Sequence, residues 1–400
     1  MKIFEIGTGY TSIPPRMGAA TELVVQELTT SFLKLKQDVT IVDIKDKNRL
    51  QTDLPIEEVY MPQFFSSTDT SLGIVHKLKR VLYSISLTYK LHRLIKKEKG
   101  KKIVLHFHNQ YNLFFFYKLT PKRLLKNVTI AYTVHSYIWF GKWEDIKDTA
   151  SKRYFQEIYC CQHADKVCVL NEIVSKMLVD HYDVNPNNIV KVINGVNTDV
   201  YNSDNTAVEI GDVRRKYNLD GKKVMFQVGS VCDRKNQLGS IQLLLPLLKE
   251  DNSFVYMFAG GIIDQAYLDN IYSFAKENNI DGQVIYAGEV TPGKELNFLY
   301  STADCTIMNS KSEAFALVIA ESLSAKRPIF INPTIMSSLA FLGKKEGHGI
   351  IRIKDSFIAD LKRLLTDKEY YKDMQEKGRQ FIVDEFSWDV AARQYLKTFE

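Results

Sequence analysis

The chain has 400 residues, of which 45% are hydrophobic and 25% charged, and its formal net charge is +6. This length predicts two or three domains, and the composition excludes a disordered or fibrous protein. No stretch approaches the roughly 20 apolar residues of a membrane-spanning helix, and no cleavable signal is expected before the first strand. The five cysteines lack metal-site spacing, which suits a reducing, cytoplasmic location.

The first half of the chain is predicted to alternate strands and helices. Residues 2–6 form a strand, 21–36 a helix and 37–43 the next strand, which opens a doubly wound α/β domain. The first loop carries Gly-x-Gly without the third glycine of a dinucleotide site, and Pro14-Pro15 forbids an early helix, so an NAD-binding loop is rejected. Residues 48–71 give few regular signals and are predicted to form a loop. Further strands are expected at 103–107, 128–134, 164–171 and 189–193.

A strongly basic segment lies between Lys77 and Lys102, with ten cationic residues against one carboxylate, Glu98. Apolar residues are interleaved at mostly helical spacing, so an amphipathic helix is predicted. Such a helix can contact an anionic membrane surface peripherally, or it can be a domain helix with a cationic outer face. No nucleic-acid-binding motif accompanies the charge, so no nucleic acid partner is expected.

Histidines follow two of the predicted strands, at the carboxyl ends where open α/β sheets bind ligands. His108 comes after the strand at 103–107, and His135 comes after the strand at 128–134. A histidine in this place can position an acceptor or assist proton transfer, and it can also be a plain hydrogen-bonded residue. The aromatic loop at 137–143 could stack on a sugar or a lipid, or form a satellite hydrophobic cluster.

The alternation starts again in the second half, after a polar stretch at 202–212 that we interpret as the inter-domain linker. A strand at 224–228 leads into a loop with Arg234 and Lys235, and a helix then runs to about residue 248. Two cations beside a helix N-terminus suit a diphosphate group. The remaining elements are predicted as strands at 254–258, 284–286 and 328–331, and helices at 265–277, 355–365, 368–385 and 388–400.

Residues 304–328 are predicted to form a strand, a tight turn and a helix. The helix, 314–325, contains no Gly or Pro. A helix that begins just past a buried parallel strand points its free N–H groups and positive dipole end at the ligand edge of the sheet, which is a seat for phosphate. Glu313 before the helix and Glu321 inside it flank this seat and can accept hydrogen bonds from sugar hydroxyls.

Glu313 and Glu321 enclose seven residues, and this segment resembles the Glu-x7-Glu motif of retaining GT-B glycosyltransferases, known as family 4 or glycosyl transferases group 1. The loop at 229–237 is similar to that family's Gly-Arg-x4-Lys phosphate loop, with Lys235 as the lysine. Gly18 resembles a glycine of the N-terminal loop that approaches the donor phosphate. The chain departs from the family pattern at four positions. Ala19, Ala316 and Lys326 stand where the family has glycine, and Ser230 stands where it has arginine.

The resemblance implies an α/β protein of GT-B architecture, with two doubly wound Rossmann-like domains that face each other across a cleft. The acceptor-binding domain would cover residues 1–200, and the nucleotide-sugar-binding domain would cover residues 212–385. The terminal helix, 386–400, would cross back to the N-terminal domain.

The resemblance also implies a reaction, the transfer of a hexose-type sugar from a UDP- or GDP-sugar to a hydroxyl with retention. The acceptor would be a saccharide or a lipid-linked glycan of cell-surface polysaccharide or glycolipid synthesis, met in the cytoplasm at the inner face of the membrane. No cofactor is implied, and no metal is expected because the chain contains no Asp-x-Asp.

Each site residue receives a role from the family. Lys235 would stabilise the departing diphosphate, and Arg234 could replace the arginine that the family has at position 230. Glu313 would hold the donor sugar, Glu321 the ribose hydroxyls, and His135 would lie near the hydroxymethyl group of the sugar. The backbone N–H groups that would share the phosphate charge are those of Ala316, Leu317 and Val318.

The departures from the family leave a second hypothesis open. The family usually has a Gly-Gly-x-x-Glu loop where this chain has residues 333–338, and several family glycines are replaced. The chain could therefore be a catalytically weak GT-B-like partner subunit of a glycosyltransferase complex. Such a subunit would bind no UDP or GDP and would hydrolyse no donor.

Overall fold

The computed structural model describes residues 1–15, 19–61, 74–140, 143–205, 207–313, 316–334 and 346–400. Gly18 and part of the predicted donor loop, 335–338, lie outside the described residues. The chain forms two compact units. The first unit joins Met1–Asn194 to Trp388–Glu400, and the second unit is Gly195–Ser387.

The first unit is built on a seven-stranded parallel sheet. Its strands are β1 (Lys2–Ile6), β2 (Asp38–Ile44), β3 (Ile56–Val59), β4 (Ile103–Phe107), β5 (Val128–Thr133), β6 (Lys166–Val169) and β7 (Ile189–Lys191). Their order across the sheet is β3-β2-β1-β4-β5-β6-β7. The chain proceeds toward one edge from β1 and toward the other from β4, so the direction changes between these two strands.

In the described part of the first unit, six helices connect the strands. They are α1 (Ala20–Lys34), α2 (Ile74–Lys97), α3 (Gln110–Leu119), α4 (Trp143–Arg153), α5 (Phe155–His163) and α6 (Glu172–Tyr182). Asn109 and Asn171 cap α3 and α6, because their side chains accept hydrogen bonds from first-turn N–H groups. Each cap lies two residues past the end of a strand, at the point where the helix begins.

The second unit repeats this plan with six parallel strands. They are β8 (Lys223–Val228), β9 (Phe254–Ala259), β10 (Val284–Tyr286), β11 (Cys305–Met308), β12 (Ile329–Ile331) and β13 (Ile350–Arg352), in the order β10-β9-β8-β11-β12-β13. The helices described in this unit are α7 (Ala207–Lys216), α8 (Gln237–Glu250), α9 (Gln265–Glu277), α10 (Lys294–Thr302), α11 (Leu317–Ser324), α12 (Phe357–Thr366) and α13 (Lys368–Phe386).

The terminal helix, α14 (Trp388–Phe399), returns to the first unit and packs against α1. Its inward face is apolar, and the rings of Phe399 and Phe32 lie 6.2 Å apart. Tyr395 on the same helix is fully buried. The predicted crossing back of the terminal helix is confirmed.

Two stretches that were predicted to be irregular contain regular structure. The predicted loop at 48–71 includes β3, an edge strand of four residues with two adjacent glutamates. The predicted linker at 202–212 includes the start of α7, where Val208 is 75% exposed. A short charged strand and a helix with an exposed apolar residue show little hydrophobic periodicity, so both escape a pattern-based prediction. The last strand, β13, was also not predicted.

The aromatic loop after β5 is partly a core element. Trp139 is fully buried, and its indole N–H donates to the Glu157 carboxylate at 3.1 Å. The Trp143 ring stacks on His181 at 3.9 Å. The hydrophobic-cluster interpretation is therefore correct for Trp139, whose ring is not accessible to a sugar or a lipid.

Candidate active site

The carboxyl ends of β8 and β11 mark a candidate site in the second unit. These strands are neighbours, and the chain proceeds from them toward opposite edges of the sheet. Open α/β sheets bind ligands at such a switch point. The loop with Arg234 and Lys235 follows β8, and the turn with Glu313 follows β11. The sheet order therefore brings together Lys235 and Glu313, which are 78 residues apart in sequence.

Two cations of the first loop converge on Glu313. Lys235 donates from Nζ to Oε1 of Glu313, and Nη1 of Arg234 lies 3.3 Å from the same oxygen. Arg234 also donates to the Ser312 carbonyl at 3.0 Å. The Lys235 and Glu313 side chains are only 12% and 11% exposed, whereas Arg234 is 48% exposed. We call these three charged side chains the Glu313 cluster.

Further contacts join the two loops. Lys311 pairs with Asp233 at 2.7 Å, and its backbone N–H donates to the Arg234 carbonyl at 2.8 Å. The side-chain amide of Asn236 donates to the Asn309 carbonyl at 3.1 Å. These bonds fix the relative position of the loops, so the Glu313 cluster does not depend on its own ion pairs alone.

Two glycines allow the strand ends beneath the cluster to pack closely. A Cβ on Gly260 would lie 2.2 Å from the Gly229 carbonyl oxygen, and one on Gly229 would lie 3.0 Å from the Lys235 side chain. Gly260 and Gly229 have positive φ angles, +147° and +151° respectively, which glycine adopts more readily than other residues. Any side chain at Gly229 would push the Lys235 stem away from the strand end.

The first turn of α11 begins just after the turn that carries Glu313. Ala316 occupies the N-cap position, and no side chain caps this described end of the helix. The N–H of Ile319 donates to the Ala316 carbonyl at 2.9 Å. The N–H groups of Leu317 and Val318 belong to the positive end of the helix, which is suited to an anionic group.

Glu321 lies inside α11 and is buried. Its Oε2 accepts a hydrogen bond from the Tyr300 hydroxyl at 2.9 Å. Burial raises the pKa of this carboxyl, against the opposing effects of hydrogen bonds from Tyr300 and Tyr201 and the positive charge of Lys235. The positive charge of Lys235 therefore acts on Glu321 as well as on Glu313.

Lys326 shows how this chain accommodates one replaced family glycine. Its φ is +56°, in the left-handed region that favours glycine. Its Nζ lies 3.0 Å from the Asp204 carboxylate and 3.5 Å from that of Glu376. The backbone after α11 thus keeps a glycine-like conformation although a lysine occupies the position.

A second group of polar residues lies at the switch point of the first sheet. Glu5 on β1 is in register with His106 on β4, and side-chain alternation places His108 on the same face. Glu5 pairs with both histidines, and His108 Nδ1 lies 3.0 Å from Nε2 of His135, which follows β5. Sequence reasoning missed Glu5. The available signal was a carboxylate between the apolar residues Phe4 and Ile6 of the strand.

Burial decides the charge states of this group. Although burial acts to raise the pKa of Glu5, the charges and hydrogen bonds of His106 and His108 lower it to about 2. Burial lowers the pKa of His108 to about 4 and that of His135 well below its usual range. At neutral pH the carboxylate is therefore ionised, and His108 and His135 are neutral.

Glu5, His106 and His108 also form the one group of metal-type ligands found among the described residues, with ligand atoms within 4.8 Å of one another. The two nitrogens lie 2.8 and 2.9 Å from the two carboxylate oxygens. These are ordinary lengths for charge-assisted hydrogen bonds. We therefore interpret this group as a hydrogen-bonded cluster.

The basic segment forms α2 and the residues after it, and the structure divides its charges. Lys79 is buried, Arg80 lies over the Tyr111 ring at 4.2 Å, and Lys90 pairs with Glu57 at 2.8 Å. No helix in the described part of the chain is long and apolar enough to cross a membrane. The side chains exposed along α2 include Val75, Leu78, Tyr89, Arg93, Lys96 and Lys97.

Family models match both halves of the chain. The model described as Glycosyltransferase Family 4 matches residues 21–200, and the model described as Glycosyl transferases group 1 matches residues 209–381. An uncharacterized glycosyltransferase of Methanocaldococcus jannaschii is 24% identical over 220 residues, which are 54% of this chain and only 55% of that protein. YtcC of Bacillus subtilis, described as a glycosyltransferase, is 23% identical over 422 residues, which cover 100% of this chain and 92% of YtcC.

Solved structures show the same fold. Sucrose-phosphate synthase from Thermosynechococcus elongatus superposes with a TM-score of 0.73 and 17% identity, covering 100% of this chain and 98% of the synthase. Anabaena HepE in complex with UDP and glucose gives a TM-score of 0.70 at 12% identity, covering 100% of this chain and 99% of HepE.

The two parallel Rossmann-like sheets and the returning terminal helix define an α/β protein of the GT-B fold. The chain belongs to the glycosyltransferase family 4, or glycosyl transferases group 1, family of GT-B glycosyltransferases.

Proposed function

We propose that this chain is a retaining glycosyltransferase that moves a hexose-type sugar from a UDP- or GDP-sugar to a hydroxyl acceptor. The observation that carries the proposal is the convergence of Lys235 and Arg234 on Glu313, just before the first turn of α11. A diphosphate needs positive charge and N–H donors, and both occur at this switch point. The complex of HepE with UDP and glucose supports a nucleotide-sugar donor.

Charge stabilisation is the main task of the Glu313 cluster in this mechanism. Departure of the nucleoside diphosphate builds negative charge on its β-phosphate, which Lys235, Arg234 and the first N–H groups of α11 stabilise. Both cations contact Oε1 of Glu313, so its Oε2 can accept a hydrogen bond from a hydroxyl of the donor sugar. Glu321 would bind the ribose hydroxyls from within α11.

We propose that the acceptor hydroxyl attacks the anomeric carbon from the same face that the nucleoside diphosphate leaves, which retains the configuration. In that geometry no side chain has to form a covalent intermediate, and Glu313 only orients the sugar. The two cations and the helix N-terminus supply the positive charge at the leaving group, so we propose that turnover needs no divalent metal. Unchanged turnover in EDTA would support this point, and rescue by Mg²⁺ or Mn²⁺ after chelation would contradict it.

Two departures from the family pattern are compatible with activity. Arg234 reaches Glu313 and so brings a guanidinium to the cluster, although the family arginine position is Ser230. Lys326 adopts a left-handed backbone conformation, which is the conformation that favours glycine. These observations favour the enzyme over the catalytically weak partner subunit.

The exposed side chains of α2 support an acceptor at a membrane surface. Val75, Leu78 and Tyr89 are 57%, 52% and 62% exposed, and cationic residues continue to the end of the helix. Apolar and cationic side chains together favour an anionic lipid surface. We therefore propose a lipid-linked glycan acceptor in cell-surface polysaccharide or glycolipid synthesis.

Ligand-induced thermal stabilisation tests the donor site first. A panel of UDP- and GDP-sugars should raise the melting temperature of the wild type, because a ligand that binds only the folded state stabilises it. The Lys235→Ala variant should lose this shift. NMR of the product formed with the stabilising donor should show a retained anomeric configuration. A wild type that binds no nucleotide and hydrolyses no donor would instead support the partner subunit.

A further inference from the structure

Six polar side chains form one hydrogen-bonded line through the first unit. Glu5 is at the centre of the line and is fully buried. One arm runs through His106 to Thr133, at 2.7 Å, and on to the Tyr395 hydroxyl, at 3.4 Å. The other arm runs through His108 to His135. The line thus connects the terminal helix to a histidine at the carboxyl edge of the sheet.

The carboxylate fixes which nitrogen of His108 carries the proton. An ionised carboxylate can only accept hydrogen bonds, so the Nε2 of His108, 2.9 Å from Oε2 of Glu5, must be the donor. A neutral imidazole has one N–H, and its other nitrogen holds a lone pair. The Nδ1 of His108 is therefore an acceptor.

The same reasoning assigns the proton of the His135 ring. The Nε2 of His135 lies 3.0 Å from Nδ1 of His108, which accepts, so Nε2 of His135 must donate. The remaining nitrogen of His135, Nδ1, then holds the lone pair. The two rings are stacked with centroids 5.3 Å apart, which also restricts the orientation of the His135 ring.

We propose that Glu5 is a positioning residue that acts through His108 to hold His135 as a hydrogen-bond acceptor at Nδ1. This inference rests on the proposed function and on the family resemblance, which implies that His135 lies near the hydroxymethyl group of the donor sugar. A sugar hydroxyl can donate to that lone pair, whereas the other tautomer would present an N–H. Glu5 itself touches no substrate.

The tautomers can be read directly in the wild type by ¹⁵N NMR of histidine-labelled protein, with His135→Ala for assignment. We expect a proton on Nε2 of both His108 and His135. A proton on Nδ1 of His135 would overturn the proposal, whatever reaction the protein catalyses.

Glu5→Gln tests the connection to activity. An amide has one acceptor oxygen and one NH₂ donor, so it cannot accept from both histidines. We expect kcat/KM to fall about tenfold, as for the loss of one good hydrogen bond, and we expect the Nε2–H signal of His135 to weaken. Thr133→Val is the matched control, because it cuts the other arm of the line at a position that is also fully buried. It should change kcat/KM by less than about twofold.

A double-mutant cycle separates positioning from general damage. If Glu5 acts only through His135, Glu5→Gln should cause no further loss in a His135→Ala background. Additive losses, or equal losses from Glu5→Gln and Thr133→Val, would overturn the inference while leaving the proposed reaction intact. If His135→Ala has full activity while the wild-type tautomers are as expected, the role of His135 in the proposed function fails instead.

Discussion

The two sheets of this protein place charged side chains at corresponding switch points but use them differently. In the second unit the charges are carried by loops, and Arg234 is 48% exposed. In the first unit Glu5 and His106 lie within strands and are fully buried. A partly solvated charge costs little during folding, whereas a buried charge is stable only with all its partners. The loop charge of Arg234 is thus available to a ligand, whereas the buried charge of Glu5 fixes the hydrogen bonds of the histidines around it.

The largest expected contrast is in stability. Glu5→Ala should destabilise the first unit by about 3–5 kcal/mol, because it leaves buried polar partners without their acceptor. Glu313→Ala should cost less, about 1–3 kcal/mol, because Lys235 loses its partner while Arg234 is 48% exposed and stays solvated. Trp139, Trp143 and Trp388 all lie in the first unit, so tryptophan fluorescence during urea unfolding follows Glu5→Ala, and far-UV circular dichroism follows Glu313→Ala in the second unit. Equal shifts for the two variants would break the comparison.

The next effect is on catalysis. Lys235→Ala should lower kcat/KM by about 100- to 1000-fold, the usual result of removing one group that stabilises transition-state charge. Lys249→Ala is the control, since Lys249 is an exposed lysine near the end of α8 and lies outside both loops. It should stay within about threefold of the wild type in the same transfer assay. Similar losses for both lysines would place the phosphate elsewhere.

A pH series should distinguish the units without any substitution. The pKa of His108 is lowered to about 4 in the folded protein, so between pH 6.5 and pH 4 the unfolded chain binds more protons than the folded one. Stability therefore falls as pH falls through this window, by about 2 kcal/mol from pH 7 to pH 5. Glu5, His106 and His135 face His108, and of these only the Glu5 carboxylate opposes the loss. The pKa of His135 is lowered too, so His135 adds to the same slope. His108→Asn should flatten the fluorescence-monitored profile, and an unchanged slope would contradict the assignment.

A smaller loss is expected from the more exposed cation of the Glu313 cluster. Arg234→Ala should reduce kcat/KM about tenfold, because solvent screens the guanidinium, 48% exposed, more than the Lys235 ammonium, whose side chain is 12% exposed. Arg234→Lys keeps the charge and should recover part of the activity. A loss larger than that of Lys235→Ala would reverse the order that exposure predicts.

The smallest effect concerns the exposed side of α2. Lys96→Ala should weaken binding to vesicles of anionic lipid about fivefold, since one surface lysine contributes about 1 kcal/mol. Lys276→Ala, an exposed lysine of the second unit, should leave vesicle binding unchanged in the same flotation assay. Equal binding of all three proteins, or binding that ignores lipid charge, would remove α2 from the membrane contact.

Local sequence patterns were enough to predict most of the helices and strands. The helix at 265–277 and the strands at 103–107 and 284–286 lie where the pattern places them, because each is bounded by clear turn residues. β3 and α7 could not be predicted, since their stability comes from the neighbours against which they pack. The same limit applies to the sites. Lys235 and Glu313 stand out beside turns, whereas Glu5 does not.

The sequence by itself determined the alternation of strands and helices and the two charged loops, because turn chemistry and hydrophobic periodicity act over a few residues. Only the tertiary structure decided that β8 lies beside β11 and β1 beside β4. That strand order brings Lys235 to Glu313 and Glu5 to His106 and His108. Pairing between distant strands depends on the packing of the whole sheet, which no local segment of the chain contains.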